Sequence, residues 1–203
     1  MFPSRLIPSF RWVVLRRAAV RYAEHGWDVV PGAWLAGTRF RCDEAGCYTV
    51  ACHPAVPDRE AAAGHDAARV RAAWRRRPHG VLLATGRALD ALEVPATLGR
   101  FALGQAQGPV AVAPSGRWLF LVRPGQCLRP ELRDRPDVVL HSRGSWIAVP
   151  PTALPGSRMR WEVDPDETGW RLPEAYPLQV QLMTGLRTLA PPLVPRTAFA
   201  PAA

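Results

Sequence analysis

The stretch GVLLATGRALDALEVP, residues 80–95, decides the fold of this chain. Its apolar run at 80–84 predicts a buried strand, because short apolar runs that end at turn residues are typical of strands inside a core. After the turn ATG, residues 89–94 predict a second strand, which carries Asp90 and Glu93. Carboxylate oxygens are common ligands of Mg²⁺ and Mn²⁺, so this strand raises the question of a metal-dependent active site.

Two helices are predicted upstream of this stretch. Ser9 is placed to cap a helix that runs to about Glu24 and carries its apolar residues on one stripe. Asp66 is the expected N-cap of a second helix, which Pro78 ends. A short strand at 27–31 lies between the two helices.

Strand patterns dominate the second half of the chain. A short helix is expected to begin at Pro95, since proline is favoured in a first helical turn. Two helices followed by strands indicate an α+β fold with a mostly antiparallel sheet rather than a regular βαβ alternation. We predict one domain over residues 1–187 and a mobile Pro/Ala-rich tail over residues 188–203. The patterns predict a hairpin at 109–114 and 117–122, a second hairpin at 137–142 and 145–151, and a last strand at 158–163.

The composition suits a chain with a hydrophobic core, since 48% of the 203 residues are hydrophobic. No apolar run approaches the ~18 residues of a membrane span, and the N-terminal segment lacks a long apolar stretch before a cleavage site. We therefore expect a cytoplasmic protein with no membrane partner. The net charge of +9 suggests an anionic partner, but the chain has no lysine and no asparagine, which indicates a GC-rich coding bias. Arginine content alone therefore does not establish a nucleic-acid surface.

Five segments stand out by their order along the chain. They are AAVRYAEHGWDVVP (18–31), AARVRAAWRRRPHGVLLATG (67–86), ALDALEVPA (88–96), SGRWLFLV (115–122) and SRGSWIAVPPT (142–152). In this order they resemble the N-terminal domain of bifunctional DNA primase/polymerases, the prim-pol branch of the archaeo-eukaryotic primase superfamily. The resemblance implies a primase-type α+β fold. It also implies nucleotidyl transfer, in which two divalent ions held by carboxylates align a primer hydroxyl with a nucleotide α-phosphate.

The resemblance assigns polar positions that this chain fills in an unusual way. Glu93 stands at the first acid of the family's Asp-x-Asp strand, but Pro95 stands at the second. Trp118 aligns with the family's histidine, and Val139 aligns with its third acid. We therefore predict that most of the metal-binding positions have been lost.

Two further acids lie near these positions. Asp90 is three residues from Glu93, so it points to the opposite face of the strand. Asp137 would need a two-residue shift of register, which moves a side chain by about 7 Å. Glu93, Asp90 and Asp137 remain the candidate catalytic residues of a rearranged site, which would need Mg²⁺ or Mn²⁺.

A Cys-rich loop over residues 40–65 contains a second group of candidate metal ligands. Thiolates and imidazole suit a structural zinc ion, which would order a weakly packed loop. A subgroup of the resembled family has a Cys-rich loop at this place; Phe40 stands at its first cysteine, and Cys52 is expected to substitute. Because the spacing is not the usual pair of C-x2-C motifs, idle or buried thiols remain an alternative. The candidate zinc ligands are Cys42, Cys47, Cys52 and His53.

Three residues are candidates for contact with nucleic acid or nucleotides. Trp74 precedes an arginine run and would stack on bases, although its helical spacing favours a core position. Arg117 and Arg143 lie in or beside predicted hairpin turns, where they would contact phosphate. The histidines at the ends of helices or strands, among them His25 and His141, are interpreted as surface or capping residues.

These observations favour a stand-alone prim-pol-like domain that has lost its metal-binding acids and keeps a nucleic-acid-binding, nucleotide-binding or accessory role. The chain contains no G-x-x-x-x-G-K-[ST] motif of a helicase-type ATPase, which also favours an accessory role. Two alternatives remain open. One is an active nucleotidyltransferase with a rearranged acidic site, and the other is a protein-interaction module whose basic surface and Pro-rich tail bind another protein.

Overall fold

The computed structural model describes residues 7–44, 46–75 and 77–189, so most of the predicted tail lies outside the described residues. The described residues form an α+β fold in which every strand pair is antiparallel. The predicted fold class is therefore confirmed. None of the helices in this part of the chain combines the length and the apolar character needed to cross a lipid bilayer.

Six helices and twelve strands follow one another along the described ranges. The helices are α1 (Ile7–Glu24), α2 (Arg59–Ala62), α3 (Ala67–Ala73), α4 (Ala96–Leu103), α5 (Pro130–Arg133) and α6 (Ala175–Leu189). The strands are β1 (Val29–Gly32), β2 (Trp34–Ala36), β3 (Arg39–Arg41), β4 (Gly80–Ala84), β5 (Asp90–Pro95), β6 (Val110–Val112), β7 (Arg117–Val122), β8 (Val139–His141), β9 (Trp146–Ala148), β10 (Ala153–Leu154), β11 (Ser157–Arg158) and β12 (Arg160–Val163).

The stretch at 80–95 joins the two main sheets. Its first strand, β4, is central in the three-stranded sheet β1-β4-β9, and its second strand, β5, lies between β7 and β8 in the five-stranded sheet β12-β6-β7-β5-β8. The turn between them contains Gly86 at φ +99°, where a Cβ would collide with the backbone of Arg143. The ATG turn therefore requires glycine, because this conformation and this close approach exclude a side chain.

Two hydrophobic cores lie on opposite faces of the five-stranded sheet, since alternate residues of a strand point to opposite sides. On β7, Leu119 and Leu121 belong to the first core, whereas Trp118 and Phe120 belong to the second. The first core combines residues of α1, α3 and both main sheets, including Leu15, Trp74, Leu83 and Ile147. The second core combines the other face of the five-stranded sheet with α4, α5 and α6, including Leu98, Leu132 and Leu182.

The structure has both predicted helices before β4, with corrections to their bounds: α3 ends at Ala73, with Trp74 at its C-cap, and does not extend to Pro78. α1 ends at Glu24 as predicted but begins at Ile7, so Ser9 lies inside the helix and does not cap it. Asp66 caps α3 as predicted, because its carboxylate accepts a hydrogen bond from the backbone N–H of Arg69 at 2.8 Å.

The second predicted hairpin is wrong. β8 pairs with β5 and β9 pairs with β4, so the turn containing Arg143 and Gly144 carries the chain from one sheet to the other. The predicted Cys-rich loop at 40–65 is not entirely irregular, because it includes the end of the hairpin β2–β3 and the short helix α2. The sequence patterns also did not predict α6, which has Pro177 in its first turn and Gly185 packed against α4.

The contact between α4 and β7 gives the first prediction. A Cβ at Gly99 would collide with the indole of Trp118, so Gly99→Ala should overpack the second core. We expect the variant to lose about 1–3 kcal/mol of unfolding free energy, even though alanine is the better helix former. Urea denaturation followed by circular dichroism measures the loss.

Gly104→Ala is the matched control at the C-cap of the same helix. Gly104 has φ −62°, and no heavy atom lies within 4 Å of its added Cβ. We expect unchanged or slightly higher stability, because alanine restricts the unfolded chain without a clash. Equal stability of Gly99→Ala and wild type would show that α4 does not pack on Trp118 in this way.

Candidate functional site

Glu93 lies at the centre of the candidate site, on the face of β5 that also contributes to the first core. Its side chain is 22% exposed. Oε1 accepts a hydrogen bond from Nε of Arg117 at 2.6 Å, and Oε2 lies 2.7 Å from Nε2 of His141. A guanidinium and an imidazole therefore engage both oxygens of this carboxylate.

The strand register explains this arrangement. Glu93 lies opposite Leu119 on β7 and opposite Val139 on β8. Arg117 and His141 are each two residues from these partners, so they share the face of Glu93 and reach it diagonally. Two flanking strands thus supply one hydrogen-bond donor each.

His141 connects Glu93 to a hydroxyl group. Its Nδ1 lies 3.1 Å from Oγ of Ser145, in the turn that leads to β9. The hydrogen bond from His141 is the largest cause of the lowered pKa of Glu93, and Arg117 lowers it further against the opposing effect of burial. Because an ionised carboxylate only accepts hydrogen bonds, Nε2 of His141 carries a proton.

The other two candidate acids do not join Glu93. Asp90 is buried on the opposite face, as its spacing predicted, and its Oδ2 accepts a hydrogen bond from the backbone N–H of Gly125 at 2.9 Å. Burial raises the pKa of Asp90. Asp137 forms a two-point ion pair with Arg135, with both N···O distances 2.8 Å.

The arrangement does not fit a two-metal centre, which needs several free carboxylate oxygens around its ions. The donors from β7 and β8 already engage Glu93, and Asp90 points away from it. In the described ranges, Glu93 is not part of any group of three or more acidic, histidine or cysteine side chains close enough to share one ion.

Trp118, which was aligned with the family's histidine, does not lie beside Glu93. Its indole points into the second core, so Arg117 stands beside Glu93 instead. Sequence reasoning missed His141 and Ser145 as members of the site, because His141 was interpreted as a strand-end residue. One feature of the sequence pointed to His141. It lies two residues after Val139, the position aligned with an acid, and residues two apart in a strand share a face.

The remaining nucleic-acid candidates have different positions. Trp74 is completely buried, and its Nε1 donates to the backbone carbonyl of His79 at 2.8 Å, so it is a core residue and not a stacking platform. Arg117 is engaged with Glu93 rather than free for phosphate. Arg143 is exposed in the turn between β8 and β9, next to a small cavity that Arg87 and Ser145 also line.

Three of the four candidate zinc ligands come together in the Cys-rich loop. The ligand atoms of Cys42, Cys47 and His53 all lie within 4.8 Å of one another, and Sγ of Cys47 is 3.3 Å from Nε2 of His53. Hydrogen bonds from Thr49 are the main reason that the pKa of Cys47 falls to about 7. This lowered pKa favours the thiolate of Cys47, the form that binds a metal, whereas burial raises the pKa of Cys42. The proximity of the three ligand atoms is what allows the group to hold a metal ion.

Cys52, the expected fourth ligand, is not part of this group in the described residues. Its Sγ lies away from the other three side chains, 3.9 Å from the backbone carbonyl oxygen of Ala33. Burial raises the pKa of its thiol to about 12, which disfavours the thiolate that a metal would need. Phe40, which stands at the family's first cysteine, lines the cavity beside the three-residue group.

The hydrogen bonds of Glu93 predict a pH-dependent contribution to stability. Because its pKa in the fold lies below the ordinary 4.5, ionised Glu93 stabilises the fold above that pH, and this stabilisation is lost as the pH falls through the lowered value. Glu93→Gln should therefore lower the unfolding free energy at pH 7 by about 1.5–3 kcal/mol. The difference from wild type should shrink towards pH 3 in chemical denaturation.

Glu174→Gln serves as the control, because Glu174 pairs with Arg123 on an exposed surface. We expect a change below about 1 kcal/mol at either pH, as for other surface ion pairs. A Glu93→Gln variant as stable as wild type at pH 7 would argue against the hydrogen-bonded carboxylate.

Comparison with known proteins identifies the family of the chain. The family model described as bifunctional DNA primase/polymerase, N-terminal, matches residues 19–177. No curated protein matches the chain. The matched residues run from α1 to the start of α6 and include both main sheets and the Cys-rich loop. The chain therefore belongs to the prim-pol family, whose members are DNA primase/polymerase-like domains.

Proposed function

We propose that this prim-pol domain no longer transfers nucleotides and acts as a nucleic-acid-binding, nucleotide-binding or accessory domain. One observation carries the proposal. Glu93, the acid that matches the family's first metal-binding position, directs one oxygen to Arg117 and the other to His141. In this arrangement, groups of the chain itself take the place of the metal ions.

The electrostatics of the site support this proposal. Mg²⁺ or Mn²⁺ at Glu93 would have to displace Arg117, and that guanidinium would then lie unpaired in a setting where it is 25% exposed. Removing one partner of a partly buried ion pair is unfavourable, because the remaining charge is left poorly solvated. The side chains of Pro95 and Val139 offer no oxygen ligands in compensation.

The rearranged active site is the rival proposal. It draws on Asp137, whose pKa is lowered mainly by the hydrogen bond from Arg135 and also by the charge of Arg117. Arg117 thus interacts with the charges of both acids, which would be the ligands of the rearranged site. This rival requires metal-dependent activity that depends on both carboxylates.

Primer extension distinguishes the two proposals. We expect the purified chain to extend no primer with Mg²⁺ or Mn²⁺, and Glu93→Ala to behave in the same way, because both oxygens of Glu93 are engaged by Arg117 and His141 and are not free to hold two ions. Glu174→Ala is the matched control. Metal-dependent extension that disappears in Glu93→Ala and Asp137→Ala but persists in Glu174→Ala would establish the rearranged site and refute our proposal.

We also propose that the Cys-rich loop binds a structural zinc ion through Cys42, Cys47 and His53. Two thiolates and one imidazole are donors that zinc accepts, and they supply three of the four ligands of a tetrahedral site. Since the segment contains little regular structure beyond β2, β3 and α2, the ion would order the loop between them.

Metal analysis tests this proposal. We expect about one zinc ion per chain in wild type and a loss of zinc in Cys47→Ser and His53→Ala. Cys127→Ser, at an exposed cysteine outside the loop, is the control and should retain zinc. Cys52→Ala should retain it as well, whereas zinc loss in Cys52→Ala alone would show that the ligand set is wrong.

A further inference from the structure

A second surface, which combines arginine and aromatic side chains, lies away from Glu93. It is an open pocket of about 790 Å³ on α1, called here the α1 pocket. Its wall includes Trp161 of β12, and β12 and β8 are the two opposite edges of the five-stranded sheet. The residues that matter for its chemistry are Arg16, Arg17, His25, Arg71, Trp161 and Trp170.

The arginines of the α1 pocket are largely uncompensated. Arg16 and Arg17 on α1 and Arg71 on α3 form no ion pair with any other residue of the described ranges. The lining also contains Arg21, which is paired with Asp166, and the carboxylates of Glu24 and Asp164. With the Arg21–Asp166 pair set aside, the three unpaired guanidinium groups outnumber the two carboxylates of Glu24 and Asp164, which leaves a small positive excess that suits an anion.

Planar rings complete the pocket. The indole of Trp170 stacks on the imidazole of His25, with ring centroids 3.5 Å apart and an angle of 12° between the planes. Nε1 of Trp170 donates to Oδ1 of Asp166 at 2.9 Å, which fixes the indole in place. His25 is an exposed residue, so the stack ends at the surface.

The backbone at Trp170 is held in an unfavourable conformation. Its φ of +60° lies in the left-handed region, which bulky residues other than glycine rarely adopt. The hydrogen bond from its backbone N–H to the carbonyl oxygen of Pro165, at 2.8 Å, closes the turn that imposes this conformation. Such strain is found where a fold has to hold a side chain in a set place, here beside His25.

We propose that the α1 pocket binds single-stranded nucleic acid. Unpaired arginines would bind the phosphates of successive nucleotides, and an unstacked base would extend the stack of Trp170 and His25. A duplex fits less well, since its bases are already stacked on one another. This inference rests on the proposed function and specifies its ligand and surface, but it does not depend on the Glu93 site.

Fluorescence anisotropy with a labelled oligothymidylate of about 20 nucleotides tests the proposal at several salt concentrations. We expect the triple variant Arg16→Ala, Arg17→Ala, Arg71→Ala to bind at least about tenfold more weakly than wild type. Its slope of log K against log salt should be shallower by about 2, because each lost phosphate contact contributes about 0.7.

A triple variant with the same loss of charge is the control. Arg39, Arg100 and Arg187 are exposed, lie outside the α1 pocket and form no ion pair with other described residues. Their replacement by alanine should leave the affinity within about threefold of wild type. Circular dichroism of both triple variants checks that they are folded.

The aromatic part is tested separately with His25→Ala. We expect affinity for the oligonucleotide to fall about fivefold or more with an unchanged salt slope, and affinity for inorganic polyphosphate to stay the same. Equal binding by both triple variants would refute the α1 pocket as the surface while leaving the proposed function intact. Absence of wild-type binding to the oligonucleotide at low salt would refute the α1 pocket proposal, and absence of binding to nucleotides as well would refute the proposed binding role.

Discussion

The contact on which the candidate site depends is the carboxylate of Glu93 held between Arg117 and His141. Antiparallel pairing of β7, β5 and β8 puts these three side chains on one face, and the core beneath leaves them partly buried. A carboxylate in this setting needs hydrogen bonds and a compensating charge, since burying it alone is unfavourable. In a metal-dependent site, ions supply that compensation. Here the neighbouring strands supply it, so the fold does not need a bound ion at this position.

The same strand register is compatible with the proposed loss of metal-binding acids from this face of the sheet. Several carboxylates gathered on one sheet face repel one another when no ion lies between them. Under the proposed loss of the acids at Pro95 and Val139, that repulsion is absent, and the second core is unaffected because it uses the other face of the strands. Leu92 and Val94 of β5 pack there against α4, α5 and α6 whatever stands opposite Glu93. Residues around Glu93 on one face of this sheet can therefore change without altering the packing of the second core on the other face.

Local patterns in the sequence predicted most elements but not their partners. The apolar run of β4, the Asp66 cap and the opposite directions of Asp90 and Glu93 follow from short-range rules, and the structure has all three. The position of His141 could not be predicted in the same way, because it depends on β8 pairing with β5 rather than with β9. Cys52 illustrates the same limit: adjacent to His53 in sequence, it is directed by the local backbone to Ala33 and away from the other thiols. Pairing and side-chain direction are set by the whole fold.

The net charge of +9 becomes informative once the pairing of the arginines is known. Arg117 beside Glu93 and Arg135 beside Asp137 are neutralised near the position where the family binds metal, so they add little net field there. The excess positive charge lies elsewhere, and the α1 pocket gathers part of it without carboxylate partners for Arg16, Arg17 or Arg71 among the described residues. A phosphate chain is attracted by charge that is unpaired rather than by arginine content. The electrostatic attraction for nucleic acid therefore points to the edge of the sheet formed by β12, away from the acid that the family would use for catalysis.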